Sequence, residues 1–127
     1  MPILSHVSFG VTDYKRAKAF YDAVLDTLNI KCLGDYGTAA GYGVDGAEFW
    51  IGHPHEGGKA TAGNGTHVCF NAASQDEVDA FHAKAVAHGG KDDGKPGLRV
   101  EYMPNYYAAY VRDPDGNKIE AVCLLKD

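Results

Sequence analysis

The sequence predicts an α+β fold in which a strand, a helix and three further strands occur twice. Three observations predict it. Apolar residues recur at helical spacing near residues 14–28 and again near 75–88. Each helical stretch follows one short strand-like run and precedes three more. A glycine-rich, weakly apolar segment from His53 to Gly65 separates the two series. The first half is therefore expected at about residues 1–54, a linker at 55–63 and the second half at about 64–127.

The first strand is expected at Ile3–Val11. Thr12 or Asp13 can cap a helix whose apolar positions are Ala17, Phe20, Tyr21, Val24, Leu25 and Leu28. Strand candidates then follow at Ile30–Leu33, Thr38–Val44 and Ala47–Gly52. The pairs Gly34-Asp35 and Asp45-Gly46 supply the turns between them. The series restarts with a strand at Thr66–Ala72. Ser74 with Glu77 forms a capping box for a helix from Gln75 to about His88, which Gly89-Gly90 ends. The last strands are expected near Leu98–Met103, Tyr106–Arg112 and Asn117–Leu124, the final two joined by the turn Asp113-Pro114-Asp115-Gly116.

The chain of 127 residues is long enough for one domain with a real core. Its 45% hydrophobic and 23% charged composition is that of an ordinary globular protein. A net charge of −5 argues against a nucleic-acid partner, which calls for a basic stripe. No apolar run is long enough to be a membrane helix. No secretory signal pattern is visible. Cys32, Cys69 and Cys123 are dispersed, with no CxxC pair, which suits a reduced, cytoplasmic chain. All three read as small core or cavity-wall residues.

The chemistry lies in strand parity. Successive side chains of a strand point to opposite faces. Val7, Phe9 and Val11 share one face and His6 the other. The same parity sets His67 against Val68 and Phe70, and Glu120 against Ile119, Ala121 and Cys123. Two imidazoles and a carboxylate on one side of neighbouring strands would make a divalent-metal site.

Four stretches carry a family likeness. They are His6-Val7-Ser8-Phe9-Gly10-Val11-Thr12-Asp13, Ala19-Phe20-Tyr21-Asp22-Ala23-Val24-Leu25, Gly65-Thr66-His67-Val68 and Asp113-Pro114-Asp115-Gly116-Asn117-Lys118-Ile119-Glu120. Over essentially its whole length the chain resembles the vicinal oxygen chelate superfamily, which includes glyoxalase I, bleomycin-resistance proteins, fosfomycin-resistance enzymes and extradiol dioxygenases. The resemblance implies paired βαβββ modules forming an eight-stranded, metal-lined cup. It also implies a homodimer, with the modules pairing either within one chain or between two. Its metal-ligand positions match His6, His67 and Glu120, with Glu120 the candidate base. The ion would be Fe, Zn, Ni or Mn without distinction, or absent.

A fourth ligand would come from Ala47-Glu48-Phe49-Trp50-Ile51-Gly52, where Glu48 and Trp50 share a face. Glu48 lies only two residues beyond the Asp45-Gly46 turn. Trp50 is therefore favoured at ligand depth, where it would narrow the cup and shelter a planar substrate. Tyr106 and Tyr110 share a face opposite Tyr107, and one phenol of that run could donate a hydrogen bond in the cup. Arg99 and Lys118 could hold an anionic substrate, and His53 could line the cup mouth. His55, His82 and His88 carry no assignment, and Arg112 reads as structural.

The resemblance implies a metal-dependent lyase, isomerase or dioxygenase acting on a small molecule that chelates through vicinal oxygens. No clustered basic residues suggest glutathione, no phosphonate-binding stretch is recognisable, and the chain is short for an extradiol dioxygenase. The competing class is a bleomycin-resistance-like binding protein without catalysis.

Overall fold

The protein is described here from a computed structural model, which covers residues 2–126. The element order is β1 (Val7–Gly10), α1 (Tyr14–Asp26), β2 (Lys31–Asp35), β3 (Ala39–Gly43), β4 (Ala47–Gly52), β5 (His67–Asn71), α2 (Gln75–Ala87), β6 (Lys91–Leu98), β7 (Tyr106–Arg112) and β8 (Lys118–Leu124). This is the expected α+β series, βαβββ twice. The eight strands form two four-stranded sheets of equivalent order, β1-β4-β3-β2 and β5-β8-β7-β6. In each, the first strand pairs parallel with the last and the other pairings are antiparallel.

Each helix begins where its sequence offers a cap. The Asp13 carboxylate accepts from the Arg16 amide at 3.1 Å. Ser74 Oγ accepts from the Glu77 amide at 3.2 Å, while Glu77 reaches back to the Ala73 amide at 2.8 Å. The apolar stripe of α1 is fully buried at Ala17, Phe20, Tyr21, Val24 and Leu25, and α2 buries Val78, Phe81 and Ala85. The strand side chains facing the helices complete one shared core, among them Phe9, Tyr42, Phe49, Ile51, Phe70, Val111, Ile119 and Ala121. Phe49 of the first sheet meets Phe70 of the second edge-on at 5.1 Å.

The Asp113 turn ties the halves together. Asp113 is 3% exposed and accepts four hydrogen bonds: the Asp115 and Asn117 amides at 2.9 Å on Oδ1, the Asn117 side chain at 3.0 Å and the Tyr21 phenol at 2.6 Å on Oδ2. Asn117 Nδ2 also donates to the Gly10 carbonyl, and the Thr12 amide donates to Asp115. Burial raises the pKa of Asp113 above the usual carboxylate value, and its hydrogen bonds from Tyr21 and Asn117 oppose that rise.

Three expected boundaries move. The first strand begins at Val7 rather than Ile3, because residues 2–6 are exposed and have no partner strand. The turn expected at Gly34-Asp35 lies two residues later, at residues 36–38, with Gly37 at φ 82°. The strand expected at Leu98–Met103 is instead Lys91–Leu98. Its polar sequence, with two glycines and Pro96, hid it. It is an edge strand pinned to β7 through two register shifts, where proline and charge are tolerated.

Candidate functional site

Each sheet has one face against the helices and one open face. The alternation places Glu48 and Trp50 on the open face of the first sheet, because Phe49 and Ile51 are buried against the helices. On the second sheet the open face carries His67 and Cys69 of β5, Glu120 and Lys118 of β8, and Tyr106 and Tyr110 of β7. The intervening Ile119, Ala121, Tyr107 and Val111 enter the core.

The centre of that second face is Glu120. Its carboxylate is 2% exposed yet ion-paired and hydrogen-bonded. His67 Nε2 lies 2.8 Å from Oε1, and the Tyr106 phenol donates to Oε2 at 2.6 Å. The register puts Glu120 opposite both Cys69 and Tyr110. The Tyr110 ring centroid is 6.1 Å from that of His67. Burial, and then the neighbouring Glu120 charge, hold the Tyr110 phenol protonated far above its ordinary range. Burial and its hydrogen bond to Glu120 do the same for Tyr106. Both are therefore hydrogen-bond donors rather than phenolate bases at neutral pH. The Cys69 thiol is pushed up to about 12 by burial and the Glu120 charge, which makes it a poor nucleophile.

His67 and Glu120 are thus brought together, and His6 is not brought with them. Among the described residues no three His, Cys, Asp or Glu side chains cluster closely enough to hold one ion. The physical reason is that His6 precedes β1, whose strand neighbour is β4 of the first sheet, whereas His67 and Glu120 belong to the second. His6, Glu48 and His67 do line a common groove of about 550 Å³ between the sheets. The Ser5 hydroxyl engages His6 Nδ1 at 2.9 Å.

The strand register also decides depth in the first sheet. Val7 is opposite Phe49 and Ser8 opposite Trp50, so one residue earlier His6 is level with Glu48. Trp50, favoured from sequence for ligand depth, is level with Ser8 instead. Its indole N–H donates to the Ala47 carbonyl at 3.0 Å, and its ring stacks on Tyr36 at 6.1 Å and 18°. His53 lies outside this arrangement: it packs edge-on against Tyr14 in a groove beside the start of α1. Arg99 lies on the second face, its guanidinium 5.4 Å from the Tyr110 centroid.

Sequence reasoning missed Tyr36, because the end of β2 was misplaced, and passed over Tyr102, whose ring meets Tyr106 at 5.4 Å. It took Cys69 for a wall residue without its position beside Glu120. The parity of Cys69 with His67 was the available signal. Cys123 is buried, Cys32 is exposed, and Cys69 keeps solvent contact as a residue while its thiol is partly screened beside Glu120.

The pair His67–Glu120 has the chemistry of a ligand pair. Two donors each about 2.0–2.2 Å from one ion, at right angles, stand ~3 Å apart, close to the 2.8 Å observed here.

Comparison with known proteins agrees with this architecture. The model of the Glyoxalase/Bleomycin resistance protein/Dioxygenase superfamily matches residues 3–121. A glyoxalase/bleomycin resistance protein from Albidiferax ferrireducens is 42% identical, with 95% of this chain and 98% of that one covered and a TM-score of 0.89. A glyoxalase-related enzyme from Fulvimarina pelagi shares the fold at 16% identity and TM-score 0.75, covering 96% of this chain and 88% of its own. A glyoxalase/bleomycin resistance protein/dioxygenase family enzyme from Burkholderia phytofirmans does so at 18% and 0.72, covering 95% and 98%. No curated protein sequence matches the chain. No helix among the described residues is long and apolar enough to cross a membrane. On the family match and the 42% identity, the chain belongs to the Glyoxalase/Bleomycin resistance protein/Dioxygenase superfamily.

Proposed function

We propose that the protein is a glyoxalase-like metalloenzyme, a lyase, isomerase or dioxygenase for a small molecule that chelates a divalent ion through vicinal oxygens. The observation that carries this reading is the buried Glu120 carboxylate held between His67 Nε2 and the Tyr106 phenol on an open sheet face. A bound ion would supply Lewis acidity to two neighbouring substrate oxygens. His67 and Glu120 would hold it. Tyr106 fixes the Glu120 carboxylate, and Glu120 is the group placed to take a proton from a substrate carbon.

We further propose that a second copy completes the site, its His6 and Glu48 meeting His67 and Glu120. Two donors are too few for a tight divalent site, and the donors level with one another in the first sheet are the missing complement. Both open faces also leave large apolar groups exposed, including Tyr36 at 70%, Tyr102 at 63% and Leu124 at 51%. Apolar exposure of this kind suits a face covered by another chain.

The test measures metal content and activity on dicarbonyl, catechol and epoxide substrates. His6→Ala and His67→Ala should each lose metal. Mixing the two variants should restore metal to one intact site per hybrid dimer. No recovery on mixing would place the whole site within one chain, and full metal in both single variants would sink the metal reading. The aromatic pair Trp50–Tyr36 favours a second reading, a non-catalytic binder of a flat molecule. That reading gains if the protein binds no metal yet quenches Trp50 fluorescence with an aromatic ligand.

A further inference from the structure

The open face of the second sheet carries three cations, Arg99, Arg112 and Lys118, and two of them share one carboxylate. Asp93 Oδ2 lies 3.1 Å from Arg112 Nε and 3.4 Å from Lys118 Nζ. Arg99 pairs with no carboxylate among the described residues. Of its five N–H donors, one is used internally, from Nη2 to the Lys95 carbonyl at 2.5 Å. The side chain is nevertheless half-buried.

Its position is built. Arg99 and Lys118 lie 5.4 Å and 5.1 Å from the centroid of the same Tyr110 ring. Gly94 opens the space: a Cβ there would stand 2.8 Å from Tyr110 Cδ1 and 3.3 Å from Arg99 Nη2. Tyr110 in turn neighbours His67, with ring centroids 6.1 Å apart, so one ring is common to the Arg99 cluster and the His67–Glu120 pair. A guanidinium with free donors, fixed over an aromatic ring and lacking an acid, is disposed to grip a planar oxyanion in fork geometry. In a chain of net charge −5 this concentration of positive charge is local.

We infer that the ligand of this face is a planar carboxylate, its anionic end gripped by Arg99 with Lys118 in support and its flat body lying along Tyr110 and Tyr106 toward His67. The inference deepens the proposed function by naming the ligand class. It rests on the reading of this face as the ligand site, and not on a metal being bound.

The probes are benzoate and its neutral isostere benzamide. Their binding to the purified protein is measured calorimetrically, with and without EDTA. Benzoate should bind at least about tenfold more tightly than benzamide, the factor expected of one charge-assisted hydrogen-bond pair. The preference should survive EDTA and should collapse in Arg99→Gln. Arg99→Lys, which keeps the charge and loses the fork, should retain part of it and serves if Arg99→Gln does not fold. Equal affinity for the two probes in wild type would overturn the inference. So would an undiminished preference in Arg99→Gln, or inorganic phosphate displacing benzoate at equal concentration. A protein that binds no metal yet prefers benzoate through Arg99 would refute the metalloenzyme reading alone.

Discussion

Replacing Asp113 by Ala should be among the most damaging single changes in the molecule. The carboxylate gathers two amides, one side-chain amide and the Tyr21 phenol, and it is 3% exposed. Alanine takes this acceptor from four donors, three in the turn that enters β8 and one on α1, and of these only the Asn117 side chain has a second acceptor, the Gly10 carbonyl. Each buried donor left unsatisfied costs roughly 1–3 kcal/mol. Part of that is offset, because ionised Asp113 is itself disfavoured by burial. The net expectation is about 3–5 kcal/mol, the range seen when one member of a buried charged network is removed. Against a total stability of about 5–15 kcal/mol this is a large fraction. The melting temperature should fall by roughly 10–20 °C. Tyr21→Phe removes one of the four bonds and should cost about 1–2 kcal/mol. Urea unfolding of Asp113→Ala, Tyr21→Phe and the double variant gives the numbers. The effects should be non-additive, because the two side chains touch. A loss under about 1 kcal/mol in Asp113→Ala, or strict additivity, would refute the view that this turn locks the halves together.

Three other outcomes follow. The folded-state pKa of Asp113 is raised, so its protonated form is favoured in the fold; its stabilising contribution is greatest below the ordinary carboxyl value of 3.8 and is lost as pH rises through the folded value. Wild type should therefore gain stability relative to Asp113→Asn as pH is lowered toward 4, as paired melting curves would detect. Tyr106→Phe should weaken metal binding by roughly 10–100-fold without unfolding the protein, since the phenol orients Glu120, and competition with a fluorescent chelator measures it. Gly94→Ala, at φ 155° and with a Cβ only 2.8 Å from the Tyr110 ring, should lower stability by about 1–3 kcal/mol in thermal unfolding and displace Arg99.

The fold, and the sheet face each candidate residue occupies, were legible in the sequence for a physical reason. Strand parity and helical spacing are local, so His67, Glu120, Tyr106 and Tyr110 could be assigned to one face from their neighbours alone, and Tyr107 to the other. Tyr107 indeed turns to the helix side, where its phenol donates to Asp79 at 2.6 Å. The relation between sheets is not local. Nothing in the alternation around His6 says which sheet its face meets, and among the described residues of one chain His67 and Glu120 meet without it. The depth of Trp50 is likewise not local. It depends on the parallel pairing of β1 with β4, a register set by residues more than forty positions apart. Strand β6 was hidden because an edge strand is held by its neighbour's hydrogen bonds rather than by its own apolar pattern.

If the metal site is shared between copies as proposed, metal binding and association are one linked equilibrium. One chain offers the ion two donors, His67 and Glu120, and the dimer offers up to four. The ion therefore binds the dimer far more tightly than the monomer, and by linkage it must stabilise the dimer by the same free energy. At a free metal concentration one hundred times the site's dissociation constant, that amounts to about 2.7 kcal/mol per site. The dimer dissociation constant should then rise about a hundredfold per emptied site on chelation. Sedimentation velocity across a dilution series, with metal and with EDTA, reads this directly. His67→Ala should show the weak, EDTA-insensitive association left by the apolar faces alone. An unchanged dimer constant on removing metal that was demonstrably bound would mean that each chain holds its ion by itself, and that the groove shared by His6, Glu48 and His67 is where it lies.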